Sequence, residues 1–541
     1  MKKWKKKLCL LLGFWMIVMQ VACGTSRETD VDSAEDQNQT QEDQNQDDSQ
    51  VNPGQDESPQ EGGQILHLTK MTVSDYCYDE DLNEMLASLE YPEVLLSETD
   101  EAAYPKLADA LQKLNQSKKE QINQNYEEIL ITARDDADSN LEYFETHTSE
   151  EQVYVRRADS AVLSLLYQGY YYNGGAHGFT YHSAKNIDSA TGEILELTDV
   201  VTDVEALPAL LEAELFKQYD SGQFYDDINM ETYIEEQLDR LVWVLEYQGL
   251  SVYFDQYELG SYAGGAFHVM IPFAEHPELF TEAYTVVPEA YGVELIMNDP
   301  YYYDPDQDGV TDRVEVSGVW DEEGFAIIQH RISLNTNVTT SDSWSYDMSG
   351  KLLHTQDGQT YLYVEDGSDN DYRTVTVYRL SKGYTERIGD LNGGFCAEYV
   401  EMDGTKYGES AIVLTDPSDF KMEFRTELLS TVGGTRSFYV GEDGMPKSDA
   451  LWYEFQTPIM LTLKQDLAAD IIDYETGEKI GETTLTAGGQ LEYFAADDLG
   501  HALFRMDDGG IAQVLVDCSE WPAKVNEIDI DEIFDGMIYA G

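Results

Sequence analysis

An aspartate-rich segment is the clearest candidate for metal chemistry in this sequence. It runs Asp304-Pro-Asp306-Gln-Asp308-Gly309-Val310-Thr-Asp312. Side-chain oxygens at positions one, three and five, a turn-forming glycine at six and a carbonyl at seven match the spacing of loops that surround Ca²⁺. The sequence therefore predicts a structural Ca²⁺ site; the alternative is an acidic turn that binds no ion. The predicted ligands are Asp304, Asp306, Asp308, Asp312 and the carbonyl of Val310.

Strands rather than helices are expected on both sides of this loop. Tyr301 to Tyr303 and Val314 to Val319 have strand-like composition, and Pro305 disfavours a helical conformation at Asp304. The segment thus resembles the Asp-x-Asp-x-Asp-Gly loops of extracellular β domains rather than a helix–loop–helix EF-hand. Glu315 stands at the twelfth position, and whether it binds the ion or faces water stays open.

A glycine-rich segment, Gly174-Gly-Ala-His-Gly178, is the second candidate. His177 has three interpretations: a general base with Asp188 as its partner, a ligand contact, or a histidine that hydrogen-bonds the backbone of a tight turn. Glycines on both sides favour the turn, because they allow positive φ angles. The sequence contains no Gly-x-Ser-x-Gly, His-Glu-x-x-His or Walker motif, so we predict no catalytic residue and no enzymatic activity.

Tyrosines cluster next to this glycine segment and again about eighty residues later. The cluster members are Tyr167, Tyr170, Tyr171, Tyr172, Tyr253, Tyr257 and Tyr262. Strand alternation places at least one member of the triple tyrosine on each face, so some pack inside and others are exposed. Exposed tyrosines suit sugar stacking or a protein interface. The predicted ligand-binding residues are Tyr171, His177, Tyr257 and Tyr262.

Three motifs in a fixed order give the family signal. They are Tyr170-Tyr-Tyr-Asn-Gly-Gly-Ala-His-Gly178, Asn186-Ile-Asp-Ser-Ala-Thr-Gly-Glu-Ile-Leu-Glu-Leu197 and Gly249-Leu-Ser-Val-Tyr-Phe-Asp-Gln-Tyr-Glu-Leu-Gly-Ser-Tyr-Ala-Gly264. This order resembles the paired extracytoplasmic domains of RsiV-type anti-sigma factors and PdaC-type peptidoglycan deacetylases. The resemblance covers about residues 70 to 275.

The resemblance implies extracellular binding. In the anti-sigma factor the pair captures lysozyme, so it implies a cationic protein ligand such as lysozyme; a cell-wall glycan is the alternative partner. An anti-sigma role is not expected, because residues 1–22 have the pattern of a targeting signal rather than a sigma-binding segment. A deacetylase needs a metal-binding Asp and a His-x-x-x-His pair, and the nine histidines include no such pair. An unrecognised hydrolase is a third possibility.

The N-terminus predicts export and lipidation. Five lysines precede an apolar run from Leu8 to Val18, followed by Gln20-Val-Ala-Cys23-Gly24. Cys23 resembles a lipobox cysteine, although Gln20 replaces the usual leucine. The apolar run is shorter than the ~20 residues that span a bilayer, which favours cleavage over anchoring. We therefore expect a lipid anchor at the extracellular face of the cytoplasmic membrane. Residues 23–63, acidic and almost without apolar side chains, predict a disordered tether.

Composition narrows the range of partners. The chain has 33 basic and 105 acidic side chains, for a formal charge of −72. Such a surface excludes nucleic acid and attracts Ca²⁺ and basic proteins. Beyond the signal and the lipid site, only Cys77, Cys396 and Cys518 remain, and an odd number argues against a disulfide framework. Whether Cys396 pairs with Cys518 stays open.

Two kinds of periodicity predict how the elements are arranged. Up to about residue 285, amphipathic helices alternate with short strands, which predicts α+β domains over 64–178 and 179–285. Leucines at helical spacing near 107–114 and 207–215 mark two of these helices. Over 286–541 the helical period disappears and strand-like runs alternate with turns. This half is predicted to be all-β, a sandwich or an incomplete propeller.

Overall fold

The computed structural model describes residues 63–395, 397–402 and 406–539. The predicted signal peptide, Cys23, nearly all of the tether, and Cys396 lie outside the described residues. Strands dominate the fold, and within the described residues all α-helices but the last short one precede residue 240. The α-helices are α1 (Glu98–Ala103), α2 (Pro105–Asn140), α3 (Leu197–Val200), α4 (Leu207–Gln218), α5 (Met230–Gln237) and α6 (Ile530–Ile533).

The strands fall into three stretches of the chain. The first holds β1 (Leu68–Asp79), β2 (Glu84–Leu96), β3 (His147–Ala158), β4 (Val162–Tyr172), β5 (Phe179–Asp188), β6 (Val242–Leu245), β7 (Gly249–Phe254) and β8 (Phe267–Pro272). The second holds β9 (Tyr291–Leu295), β10 (Tyr301–Tyr303), β11 (Asp312–Trp320), β12 (Ile327–Leu334), β13 (Asn337–Ser345), β14 (Asp347–His354), β15 (Thr360–Gly367), β16 (Arg373–Ser381) and β17 (Tyr384–Asn392). The third holds β18 (Gly394–Phe395), β19 (Ala397–Glu401), β20 (Tyr407–Val413), β21 (Phe420–Thr426), β22 (Val432–Val440), β23 (Pro446–Lys447), β24 (Tyr453–Leu463), β25 (Leu467–Ile472), β26 (Lys479–Leu485), β27 (Gln490–Ala496), β28 (His501–Arg505), β29 (Ile511–Leu515), β30 (Lys524–Val525), β31 (Ile528–Asp529) and β32 (Phe534–Asp535).

Helix α2 covers one face of a seven-stranded sheet with the order β19-β20-β1-β2-β3-β4-β5. Pro105 opens the helix at a position where its missing N–H is not needed. The helix buries one stripe of residues at helical spacing: Leu107, Leu111, Asn115, Ile122, Tyr126, Ile129, Ala133 and Ala137. The helix predicted around 107–114 is therefore present and extends further. Strands β1 and β2, which lie in the middle of this sheet, were not predicted.

A small three-stranded sheet, β6-β7-β8, lies next to the first and carries α4 and α5. Its core contains the predicted helical leucines Leu207, Leu211 and Leu215, all fully buried. Strand-like composition in this half predicts strands at Thr180 to Ile187, Val242 to Glu246, Leu250 to Phe254 and Ala266 to Ile271, and β5 to β8 match these bounds within a residue or two. The pair Gln248-Gly249 is a turn signal in the sequence, and it lies at the hairpin turn that connects β6 to β7.

The chain beyond residue 290 is almost entirely β. Its strands form a four-stranded sheet (β10 to β13), a five-stranded sheet (β17-β16-β15-β14-β9) and an eleven-stranded sheet built around β24 and β27. The strand-like runs that predict this half all lie within observed strands: Val314 to Val319, Tyr361 to Val364, Thr374 to Tyr378, Ser437 to Val440, Leu461 to Leu463 and Leu503 to Arg505. The C-terminal all-β prediction is therefore confirmed.

One strand pairing links the two halves of the chain. Strand β20 runs antiparallel to β1, from the pair Leu68 and Val413 to the pair Ser74 and Tyr407. The pairing gives hydrogen-bond partners to backbone N–H and C=O groups that would be unpaired on an edge strand. The predicted domain boundary at residue 285 stays a prediction. Strands from both sides of this boundary belong to one hydrogen-bonded sheet. Within the described ranges, no helix is both long and apolar enough to cross a membrane.

Candidate functional site

The glycine segment forms the connection between β4 and β5. Gly174 and Gly175 have φ angles of +93° and +102°, a backbone conformation that residues with a Cβ rarely adopt. A Cβ at Gly174 would lie 2.7 Å from a carboxylate oxygen of Asp136 on helix α2. The turn therefore requires glycine, and it presents His177 to solvent. This agrees with the interpretation of the segment as a tight turn.

A second loop, between β7 and β8, faces the first. Tyr257 within it has a φ of +71°, an uncommon conformation for a tyrosine. The loop is anchored at its start by Asp255, whose carboxylate accepts hydrogen bonds from the His182 backbone N–H (3.0 Å) and ring Nδ1 (2.7 Å). Because both partners are buried, this contact fixes the β7–β8 loop against strand β5.

The two loops, together with the first residue of β5, form a cluster of rings at the surface, called here the aromatic surface and made of His177, Phe179, Tyr257 and Tyr262. The His177 ring stacks on Tyr262 with centroids 4.2 Å apart. Tyr257 lies 5.8 Å from Tyr262 and 6.0 Å from Phe179. Tyr257 and Tyr262 remain 45% and 39% exposed. Exposed rings held in fixed positions are typical of interfaces, because they supply contact area at a small cost in side-chain entropy.

Three of the four predicted ligand-binding residues thus come together: His177, Tyr257 and Tyr262. Tyr171 does not, and that prediction is wrong for an exposed contact. Its side chain is only 5% exposed and packs with Tyr126 and Ile129 beneath helix α2. Strand alternation decides this outcome, since the neighbours Tyr170 and Tyr172 take the more open face. Phe179 was missed, although it directly follows the glycine turn.

The arrangement does not assemble the pair considered for acid–base chemistry. The ring Nδ1 of His177 lies 2.9 Å from the Gly178 carbonyl oxygen, so Nδ1 donates to the backbone. Asp188 instead accepts a hydrogen bond from the Tyr284 hydroxyl at 3.2 Å and from Thr191. Asp188 therefore does not orient the His177 ring, and a ligand contact by His177 stays a prediction.

The aspartate-rich segment forms the turn between the antiparallel strands β10 and β11. The strands expected on both sides are therefore present. Oxygens of Asp304, Asp306 and Asp308 lie within 4.8 Å of one another. Asp304 also accepts hydrogen bonds from the backbone N–H groups of Asp308 (3.2 Å) and Gly309 (2.8 Å), which curl the loop around its carboxylate. Burial and the two neighbouring carboxylates raise the pKa of Asp304, although its backbone hydrogen bonds oppose this.

The remaining predicted ligands are placed differently. Asp312 accepts a hydrogen bond from the Asn335 amide, and its pKa is also raised, first by burial. It is not part of the three-carboxylate group. Glu315 forms an ion pair with Arg313 at 2.7 Å, consistent with a side chain that does not bind the loop ion. Three convergent carboxylates in a curled loop fit a hard cation, and Val310 and Asp312 stay predicted ligands.

Comparison with known proteins matches two family models to the part of the chain that forms the aromatic surface. Residues 83–180 match the model described as Deacetylase PdaC, and residues 198–274 match a protein of unknown function, DUF3298. The chain carries a PdaC domain and a DUF3298 domain in tandem. The predicted resemblance is confirmed. His177 and Phe179 belong to the PdaC domain, and Tyr257 and Tyr262 belong to the DUF3298 domain, so the aromatic surface lies where the two domains meet.

Similar solved structures include two DUF3298-family proteins. One, from Bacteroides fragilis, is 16% identical and covers 40% of this chain and 94% of its own, with a TM-score of 0.31. The other, from Pseudomonas aeruginosa, is 14% identical and covers 41% of this chain and 97% of its own, with a TM-score of 0.27. No curated protein matches the chain.

Proposed function

We propose that this protein is a lipid-anchored extracellular binding protein, without enzymatic activity, that captures a cationic protein such as lysozyme. The observation that carries the proposal is the aromatic surface, with its stacked and exposed rings from both domains. Aromatic anchors of this kind dominate binding energy at protein interfaces. The PdaC and DUF3298 domains support an extracytoplasmic role.

Charge near the aromatic surface favours a basic partner. On one side, Tyr225 donates a backbone hydrogen bond to Leu259, which brings the exposed Asp226 and Asp227 next to the β7–β8 loop. On the other side, the half-exposed Asp136 lies against the glycine turn. With a net charge of −72 over the whole chain, a cationic partner is attracted from a distance and then meets local carboxylates.

Binding of hen egg-white lysozyme to the purified chain tests this proposal directly. We expect Tyr262→Ala and Tyr257→Ala each to weaken binding by roughly tenfold or more, as at interface anchors. Tyr384→Ala is the matched control, because Tyr384 is 53% exposed on strand β17, far along the chain from both domains. Equal lysozyme affinity of the parent and both aromatic-surface variants would contradict the proposal.

Recognition of a cell-wall glycan is the second candidate function. The exposed faces of Tyr257 and Tyr262 favour it, since sugar rings stack on such faces. Binding to purified sacculi at low and high salt separates the two candidates. Capture of a basic protein should weaken as salt rises, whereas glycan stacking should persist.

We also propose that a structural Ca²⁺ ion occupies the aspartate-rich loop. Asp304, Asp306 and Asp308 would supply side-chain oxygens, with Asp312 and the Val310 carbonyl completing the shell. The ion would offset the repulsion that raises the pKa of Asp304 and would fix the β10–β11 hairpin. Titration with Ca²⁺, followed by calorimetry, tests the binding itself.

A further inference from the structure

A cavity of about 840 Å³ lies where the PdaC domain, the DUF3298 domain and the β-rich part of the chain meet. Strands from all three contribute side chains to its walls, including Gln168, His268 and Lys351. Its volume lies within the ~300–1,000 Å³ typical of small-molecule sites. It is separate from the aromatic surface, since none of the four rings of that surface lines it.

Lys351 is the feature of this cavity that most needs an explanation. The residue is only 7% exposed, and among the described residues no carboxylate oxygen lies within 4.0 Å of its ammonium nitrogen. Its nearest polar contact is the Ser349 hydroxyl, at a long 3.4 Å, and the ammonium lies 4.1 Å from the centre of the Phe395 ring. Burial without an ion pair is costly for a lysine, because the charged form loses its hydration.

The neighbouring charges do not remove this imbalance. The buried Glu365 is the carboxylate that attracts Lys351 most strongly, but it pairs with Arg373 at 3.5 Å and accepts a hydrogen bond from the Ser349 hydroxyl at 3.1 Å. Glu294 comes next, and Lys70, which also lines the cavity, holds it at 2.7 Å. Asp299 is engaged by His268 at 3.6 Å. Lys351 therefore has no direct carboxylate contact of its own among the described residues, although Glu150, Glu294, Asp299 and Asp347 also line the cavity.

The rest of the wall offers groups suited to hydroxyls and amides. Gln152, Gln168 and Gln256 all line the cavity, and the buried Oε1 of Gln256 has no hydrogen-bond partner among the described residues. Trp320 lines it while 45% of its surface stays exposed, and Tyr170 contributes a second ring. Amide side chains that both donate and accept, combined with aromatic faces, match the alternating hydroxyls and apolar faces of a sugar.

From these observations we infer that the cavity binds a small acidic sugar, a mono- or disaccharide with one carboxylate. Lys351 would pair with the carboxylate, Gln256 would accept a hydrogen bond from a hydroxyl or amide, and Trp320 would contact the ring. The net charge of the protein repels polyanions, which limits the ligand to a small molecule with a single negative charge. This site is additional to the proposed capture of a cationic protein.

Matched pairs of sugars test the inference by calorimetry on the purified chain. The probes are N-acetylmuramic acid against N-acetylglucosamine, which lacks the carboxylate-bearing lactyl ether, and glucuronic acid against glucose, which has a hydroxymethyl group in place of the carboxylate. We expect binding of at least one acid and a clearly weaker affinity for its neutral counterpart. Lys351→Met should reduce the affinity for that acid roughly 10- to 100-fold, the effect of losing one charge-assisted contact at a buried site.

Two further variants make the outcome decisive. Lys447→Met is the control, because Lys447 is 46% exposed, is paired with Asp443 and does not line the cavity; its affinity should equal that of the parent. Gln256→Leu should weaken both acidic and neutral sugars, and it tests the cavity even if Lys351→Met fails to fold. No binding of either acid, or equal binding to the parent and to a folded Lys351→Met, would overturn the inference. Lysozyme capture should be unchanged in Lys351→Met, so the two proposals fail independently.

Discussion

The imidazole of His177 stacks on the ring of Tyr262, with centroids 4.2 Å apart and planes inclined by 25°. The two residues come from different domains and are 85 positions apart in the sequence. Their contact joins the glycine turn of the PdaC domain to the β7–β8 loop of the DUF3298 domain. The buried contact between His182 and Asp255 supports the same junction from below. The aromatic surface therefore depends on how the domains dock.

The first prediction is that His177 and Tyr262 are energetically coupled. A double-mutant cycle with His177→Ala and Tyr262→Ala should give an interaction free energy of about 0.5–1 kcal/mol, the value of an aromatic pair beyond area burial. Urea unfolding of the parent, both single variants and the double variant measures it. Additive changes in the free energy of unfolding would show that the stack does not contribute.

The second prediction concerns calcium. Since β1 and β20 share a sheet, we expect the halves to unfold together, and Ca²⁺ should raise the melting temperature of the whole chain. At a hundred times the dissociation constant the expected stabilisation is about 2.7 kcal/mol. Asp306→Asn with Asp308→Asn should abolish the difference between calcium and excess chelator. Glu322→Gln with Glu323→Gln removes equal charge from an exposed turn and should preserve it. Identical melting temperatures of the parent protein in calcium and in excess chelator would refute the Ca²⁺ site.

The third prediction follows from two glutamates that lie side by side. Glu150 on β3 pairs in register with Glu90 on the parallel strand β2. Burial, and then the charge of Glu90, raise the pKa of Glu150 from 4.5 to about 7. Because the folded-state pKa is the higher one, the contribution of Glu150 to stability is complete below pH 4.5 and is lost as the pH rises through about 7.

Glu150→Gln should therefore stabilise the protein above pH 7 by about 1–3 kcal/mol, after allowance for partial solvent screening. The gain should shrink as the pH falls towards 4.5. Free energies of unfolding across this pH range provide the measurement. The exposed helix residue Glu127 gives the control, since Glu127→Gln should show no such trend. A gain that does not depend on pH would contradict the assignment to Glu150.

The fourth prediction concerns the fully buried Arg157. Its guanidinium donates to Asp159 at 2.7 Å and to the carbonyls of Tyr284 and Val286 at 2.6 and 2.8 Å. Arg157→Met would leave the buried Asp159 without a counter-ion. We expect a loss of about 3–5 kcal/mol in the free energy of unfolding. Arg505→Met, at a half-exposed arginine, should cost under about 1 kcal/mol. Similar losses for both variants would argue against this role.

Local sequence patterns were sufficient to predict several structural features. The period of Leu207, Leu211 and Leu215 specifies a helix face, and it is buried as expected. Gly174 and Gly175 specify a turn because their φ angles are restricted for other residues. The Asp304 to Asp312 spacing specifies a curled hairpin loop between strands. Each of these features depends on backbone geometry and on neighbours within a few positions.

Local sequence patterns did not predict the pairing between strands that are distant in the sequence. Strand β1 mixes polar and charged residues with its apolar ones, and β2 interrupts its apolar residues with three glutamates and Pro92, so neither alternates clearly and they were not predicted. The pairing of β1 with β20 joins residues more than 300 positions apart, and no local signal specifies which edge strand meets which. Tyr171 shows the same limit, because only the position of helix α2 makes its face of β4 the buried one.

By itself, the sequence determined the tandem of domains, the β-rich second half, the turns and the excess of negative charge, since these follow from motif order, periodicity and composition. Only the tertiary structure decided which side chains share a surface. It brought His177 to Tyr262, took Tyr171 into the core and placed Lys351 in a cavity wall with no carboxylate of the described residues in direct contact. The physical reason is that exposure and pairing depend on packing between distant elements, whereas turns and periodic faces are set within a single element.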